Sequence, residues 1–322
     1  MSTLRLSRES VYNAFYKYGL FIVFFLLVLI FSSFNSNFFS AANAVNLLQQ
    51  SASTGIAAAG LVFVLVSGGI DISMGSTIFL SSVIVTTFAN KGVGIAGSFA
   101  IALACGIAVG SMNGFFVSVL NVVPLIVTLA SLYIVRGVAL ALTGVQSLFF
   151  FNKVGDAVAY TRIGGAIPVV VVILVVTLFL VQVVLNRTLF GRQLFAMGNN
   201  RIGARIMGIK VNRNTFLTYV ISGALSGLAG MVSGAQVGAI TPTFAEGQEF
   251  IIITSAILGG VSLFGGKGTA FPGAFLGVLI VMCIENGLVM AGANMYVYTI
   301  IRGIVIFFAV MIDCMRNTGE LR

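Results

Sequence analysis

The sequence predicts an all-α, polytopic integral membrane protein with about ten membrane-spanning helices. Two observations carry that prediction and a third orients it. Only 8% of the 322 residues are charged and 59% are hydrophobic, whereas a soluble domain carries about one charged residue in four. Apolar runs close to the ~20 residues of a helical span recur along the whole chain, which excludes the short alternating strands of a β-barrel. The third observation is a basic island. Arg187 to Arg213 reads RTLFGRQLFAMGNNRIGARIMGIKVNR, with six of the seventeen Lys and Arg residues and no Asp or Glu.

The first span is placed at 19–34. Arg5, Arg8 and Lys17 precede it and no small-residue cleavage site follows it, so it reads as a retained span with a cytoplasmic N-terminus. Spans two to five fall at 53–69, 76–90, 95–119 and 124–143, each an apolar run followed by turn-forming residues. The sixth, 167–186, contains PVVVVILVVTLFLVQVVL and is unambiguous. Spans seven, nine and ten are 216–238, 270–290 and 296–313. The eighth, 250–264, is short and glycine-terminated, as a partial or re-entrant segment would be.

Ten spans put both termini inside, beside Arg316 and Arg322, and put the 187–213 loop inside between spans six and seven. Lys153 and Arg162 then fall in an external loop, with Asp156 as partial balance. The formal net charge of +9 is accordingly read as the cytoplasmic bias of a bacterial inner-membrane protein in contact with lipid, not as a nucleic-acid footprint. Residues 1–322 form one transmembrane domain on this reading.

Little raw material for catalysis or metal binding is present. Histidine is absent, which removes the commonest general base and metal ligand. Cys105, Cys283 and Cys314 form no CxxC pair and read as inert. The cluster LGGVSLFGGKGTAFPG, Leu258 to Gly273, resembles a phosphate loop only superficially. GxxxxGK[ST] requires glycine where Val261 stands and Ser or Thr where Gly268 stands. ATP is therefore not expected on this chain, and the cluster reads as a tight cytoplasmic turn carrying Lys267, with Pro272 starting span nine.

Polar residues within the apolar runs are the pathway candidates. In VLVSGGIDISMGS, Val64 to Ser76, Asp71 costs about 2.5–3.5 kcal/mol at a bilayer centre unless water or a partner meets it. It reads first as a carboxylate capping the start of span three, and second, with Ser67, as a pathway or gating element. Arg136 and Arg302 need a partner, a wet cavity or a route to the interface; Glu249 and Glu285 are the available acids, with the pairing left open. Asn113, Gln236 and Asn286 suit either a polyhydroxylated solute or helix-to-helix contact. SGALSGLAG, Ser222 to Gly230, reads as a face for close helix packing. A faint repeat accompanies these residues: Val66-Ser67-Gly68, Asn113-Gly114 and Arg136-Gly137 recur as Val232-Ser233-Gly234, Asn286-Gly287 and Arg302-Gly303. The matched spans run in opposite directions, the mark of an inverted repeat, though dipeptides coincide easily among 38 glycines.

The island holds more than charge. Leu189, Phe190, Leu194, Phe195, Met197, Ile206, Met207 and Ile209 interleave with its basic residues, and Gly191, Gly198-Asn199-Asn200 and Gly208 are read as breaks. A short amphipathic helix over Arg201 to Met207 would lie on lipid or dock in a groove of a partner protein.

At this point the motifs reach a family. SGGIDISMGS, TLASLYIVRG (Thr128 to Gly137), the island and LGGVSLFGGKGT together resemble the permease subunits of bacterial sugar-type ABC importers, the ribose, galactoside and autoinducer-2 group. The resemblance covers nearly the whole chain, and its most specific part is GR-x-x-x-A-x-G-x-N…A-x-x-x-GI from Gly191 to Ile209. It implies about ten spans and alternating-access uptake of a small neutral solute, most simply a sugar. It implies no cofactor on this chain, with ATP and Mg on two cytoplasmic ATP-binding subunits. The other implied partners are a second permease copy or paralogue and a periplasmic or lipid-anchored solute-binding protein. It also implies that Arg192, Asn200, Arg201, Ala204, Arg205, Met207 and Gly208 belong to the contact with the ATPase. One departure stands out: the family commonly has Glu-Leu-Asp where this chain has Glu249-Phe250-Ile251, so the acid is kept at Glu249 and the Asp is replaced by Ile251. A stand-alone secondary transporter or channel is the alternative; its coupling carboxylates would have to come from Asp71, Glu249 and Glu285.

Overall fold

The computed structural model describes residues 8–319 and is almost wholly helical. Arg5 and Arg322 lie outside the described residues, as do the side chains of Arg8, Lys17 and Arg316. The order is α1 (Arg8–Phe34), α2 (Ala41–Val66), α3 (Met74–Asn90), α4 (Ile95–Ser118), α5 (Pro124–Thr143), α6 (Lys153–Ala159), α7 (Val169–Arg187), α8 (Leu189–Asn199), α9 (Arg201–Ile206), α10 (Val211–Val237), α11 (Gln248–Leu258), α12 (Phe275–Met290) and α13 (Met295–Gly319). Among the described residues, six segments are long and apolar enough to cross a bilayer: α2, α4, α5, α7, α10, and Ala270–Met290, which joins a π turn to α12. Shorter apolar helices cover Gly19–Phe34, Met74–Asn90, Gln248–Leu258 and Tyr296–Met311.

α10 is the axis of the bundle. Its glycines let neighbouring backbones approach until almost no side chain separates them. A Cβ on Gly106 of α4 would strike the Gly223 carbonyl, and one on Gly227 the Ala102 carbonyl. The face read from SGALSGLAG is thus a helix-packing seam. Serines tie the other sides of α10. Ser53 of α2 donates to Ala229 O (3.0 Å), and Ser81 and Ser82 of α3 donate to Gly227 O and Gly230 O (2.7 Å each). Such bonds matter in hydrocarbon, where no water competes for the carbonyls. Large apolar side chains face outward instead, among them Ile126 and Tyr133 on α5 and Ile300 and Phe307 on α13.

Two boundaries differ from expectation. α2 begins at Ala41, twelve residues before the span placed at 53–69. Asn43, Asn46, Gln49 and Gln50 lower the local hydropathy, but the fold supplies partners here: the Asn43 side chain donates to Phe38 O (3.0 Å), and the backbone carbonyl of Gln49 accepts from the Gln236 side-chain amide (2.7 Å). In the island, Gly191 is no break. It lies within α8, where a Cβ would strike the Leu185 carbonyl, so close backbone approach explains the glycine.

Two short strand pairs join loops at the end of the bundle away from the island. β1 (Leu148–Phe149) pairs antiparallel with β4 (Ala239–Ile240), while β2 (Arg162–Ile163) and β3 (Ile167–Pro168) close a small hairpin after α6.

Candidate functional site: an exposed basic helix and a broken-helix junction

The island folds into a corner. Thr188 caps α8, its hydroxyl accepting from Gly191 N (3.1 Å), and Leu194 and Met197 bury that helix against the bundle. Asn200 ends α8 and caps α9, its side chain accepting from Gly203 N (2.8 Å). Gly208, at φ +80°, closes the turn that follows α9. Only Ala204 of α9 is buried; Ile202, Ile206 and Met207 are 75%, 81% and 72% exposed. Arg192, Asn200, Arg201 and Arg205 share that exposure, and Arg205 reaches Asn212 Oδ1 at 3.4 Å. Apolar tips and cations are thus exposed side by side on a helix held by caps. A concavity of about 570 Å³ lined by Arg205, Lys210, Asn212, Arg213 and Asn121 flanks it.

The second locus is at mid-bundle. After α2 ends, residues 67–73 turn back until Asp71 lies beside Ser222, about 16 Å along α10 from its start at Val211. Asp71 is 2% exposed. Its Oδ1 accepts from Ser73 N (3.0 Å) and Ser73 Oγ (2.6 Å), and its Oδ2 from Ser222 Oγ (2.9 Å). Asn113 donates to Ser73 Oγ (2.8 Å), and the Tyr219 hydroxyl donates to Ile70 O (3.0 Å). The carboxylate therefore ties the re-entrant turn to α10 and, through Ser73, to α4. It does not cap α3 as a helical N-cap would: its backbone bond lands on Ser73, the residue before the helix.

α3 starts there, inside the bundle, and α11 starts facing it. A Cβ on Gly75 would strike Glu249 Oε2 and lie 2.9 Å from Ala245 O. Glu249 is buried in the first turn of α11, and among the described residues its Oε2 has no hydrogen-bond partner. Arg136 of α5 joins the same locus: its Nη2 donates to Phe244 O (3.3 Å) and its guanidinium lies 5.2 Å from the Phe79 ring. Two broken helices thus direct their positive N-terminal ends at one another, with a carboxylate and a guanidinium between them.

The other candidates lie elsewhere. Ser67 bonds back to Val64 O (2.8 Å), Gln236 joins α10 to α2, and Arg302 pairs with Glu285 at 2.8 Å on the α12–α13 contact. Asn286 is buried on α12. Ile251, in place of the family's Asp, is 7% exposed within the apolar core. Sequence reasoning missed three anchors. Tyr219 carried no signal beyond its hydroxyl. Gln182, whose Oε1 accepts from Ala270 N and Phe271 N (3.0 Å each), was one amide in an apolar run. Asp313 was readable as an acid ending an apolar run; its Oδ2 accepts from Leu263 N (3.0 Å).

Residues 43–310 match the family described as branched-chain amino acid transport system / permease component. The chain belongs to that family. It is therefore a multi-pass permease component, a transport subunit and not an enzyme. The chain is similar to the ribose import permease protein of Bacillus subtilis (strain 168), 35% identical over 92% of each chain. It is similar as well to the ribose import permease protein of Escherichia coli (strain K12), 33% identical over 91% of this chain and 92% of that one. The D-allose transport system permease protein of Escherichia coli (strain K12) is 33% identical over 92% of this chain and 91% of its own. No solved structure matches.

Proposed function

We propose that the chain is the permease subunit of an ATP-driven importer, moving a small neutral sugar across the bacterial inner membrane by alternating access. The observation that carries this reading is α9: a capped helix that, with its cap residue Met207, exposes Ile202, Ile206 and Met207 beside Arg201 and Arg205 on a permease component. Such a surface fits a cytoplasmic ATP-binding subunit. ATP and Mg are bound there, two ATP-binding subunits serve two permease copies or paralogues, and Arg192, Asn200, Ala204 and Gly208 shape the contact.

Ten crossings, both termini inside and one transmembrane domain over 1–322 complete the topology. The six long and four short apolar helices are compatible with that count. An inverted repeat finds support in the pattern of a long buried helix, an irregular stretch and a short helix, seen in α2–α3 and again in α10–α11. The solute path passes the junction of α3 and α11, lined by Arg136 and Glu249, with Asp71 and Asn113 holding its wall. On the external side, the β1–β4 pairing joins segments 144–166 and 239–249 into a platform for a solute-binding protein.

A neutral polyol is favoured by two observations. The similar permeases are named for ribose and D-allose. Asp71 is fully engaged by hydroxyl and amide donors and Glu285 by Arg302, so few fixed charges remain for a charged solute. The stand-alone transporter has no observation in its favour.

Replacing Arg201 and Arg205 together with Glu tests the reading. Reversing two contact charges is expected to cost at least about tenfold in ATPase affinity, with uptake falling in parallel. Copurification and uptake left at wild-type levels would remove α9 from the interface. Uptake by the purified chain without any ATPase would overturn the importer itself.

A further inference from the structure

The α8–α9 corner does not rest on the bundle through side chains alone. Gly198, at the end of α8, sits against a hydrogen bond between two other segments: Gly266 N donates to Val66 O (2.9 Å). A Cβ on Gly198 would strike both of those atoms. One on Gly265 would lie 3.0 Å from the Cα atoms of both Gly198 and Gly68, and the Asn199 side chain covers the remaining face of Gly266. Three backbones therefore meet at one point: the corner that carries α9, the end of α2, and the loop that follows α11.

We infer that this glycine junction is the contact through which α9 displaces α2 and α11, which makes Gly198 a positioning residue for coupling. The inference rests on the importer reading above. Its physical basis is compliance. A contact through long side chains absorbs a small shift by changing rotamers, whereas backbone packed on backbone passes the shift on. Beyond the junction the connections are short and bonded. Ser262 N donates to Lys267 O (3.1 Å), Val261 N to Ala256 O (3.0 Å) and Leu263 N to Asp313 of α13. α11 is then a rigid rod of 11 residues, about 16 Å long, whose far end carries Glu249 against Gly75 of α3. A push on α9 thus reaches the broken-helix junction through one hydrogen-bonded loop and one helix.

The test is Gly198→Ala in the full complex with its ATPase and solute-binding partners, reconstituted in lipid vesicles with ribose and D-allose as probes. The readout is ATP hydrolysed per sugar imported, which a purely structural role would leave unchanged in the assembled fraction. The added methyl group forces the junction apart, and the ratio is expected to rise about tenfold while the ATPase still copurifies. An assembled Gly198→Ala complex with the wild-type ratio overturns the inference. If that variant fails to accumulate, Asn199→Ala removes the side chain covering Gly266 without adding bulk, and the ratio should rise about fivefold. An unchanged ratio there overturns the inference equally. Failure of the importer reading looks different: the wild-type complex itself would then import neither sugar in an ATP-dependent manner.

Discussion

Gly110→Leu is expected to prevent the chain from accumulating in the membrane. A Cβ at position 110 would strike the Tyr219 carbonyl oxygen and lie 3.0 Å from Val220 Cα, so the first atom of any side chain already meets backbone on α10. Overpacking a core usually costs 1–3 kcal/mol because side chains can move aside. Here no side chain stands in the way, so the helices themselves must separate, and the upper end of that range or beyond is expected, more than about 3 kcal/mol. Separation of α4 from α10 would also strain the Asn113 to Ser73 bond. Gly137→Ala on α5 is the control, since nothing lies within 4 Å of a Cβ there. It should be neutral or stabilising by about 0.4–1 kcal/mol through loss of unfolded-state freedom. Thermal unfolding in detergent, with quantified membrane levels, separates the two. Wild-type stability for Gly110→Leu would mean that the α4–α10 seam is looser than its backbone geometry implies.

The contrast between those two glycines marks what was legible in the sequence. The small-residue face at Ser222 to Gly230 was readable because its spacing alone places it on one side of a helix. Which helix it meets was not, since Gly106 and Gly110 are more than a hundred residues away in the chain. α9 was readable almost to the residue because its limits are local chemistry: a capping asparagine at 200 and a glycine at 208. The start of α2 was misplaced for the opposite reason. Hydropathy charges Asn43 for a side-chain amide whose partner, the Phe38 carbonyl, only the fold supplies. Gly191 was misread because a glycine needed for close approach and one needed for a turn look identical in one dimension. The partners of Arg302 and Asp71 were hidden likewise. Glu285 lies on a neighbouring helix, and Ser222 lies 151 residues from Asp71.

Asp71 separates wall from machinery, and its two replacements should behave differently. Asp71→Ala removes the acceptor for Ser73 N, Ser73 Oγ and Ser222 Oγ at a site that is 2% exposed. The hydroxyls can turn toward other oxygens, but the Ser73 amide cannot, and the turn loses its link to α10. The expected cost is about 2–4 kcal/mol of stability, with uptake lost along with the folded fraction. Asp71→Asn keeps the shape. Its Oδ1 accepts both Ser73 bonds, and its amide group donates to Ser222 Oγ, whose own proton turns to a carbonyl one helical turn earlier, a common arrangement for a helical serine. That exchange should cost within about 1 kcal/mol and leave most uptake intact. Thermal unfolding and ATP-driven uptake, measured on the same preparations, decide the matter. An Asn variant that is as stable as wild type but cannot transport would show that the negative charge itself acts on the pathway. A stable, active Asn variant beside an unstable Ala variant would fix Asp71 as the bond that holds the re-entrant turn, and with it the start of α3, at the centre of the bundle.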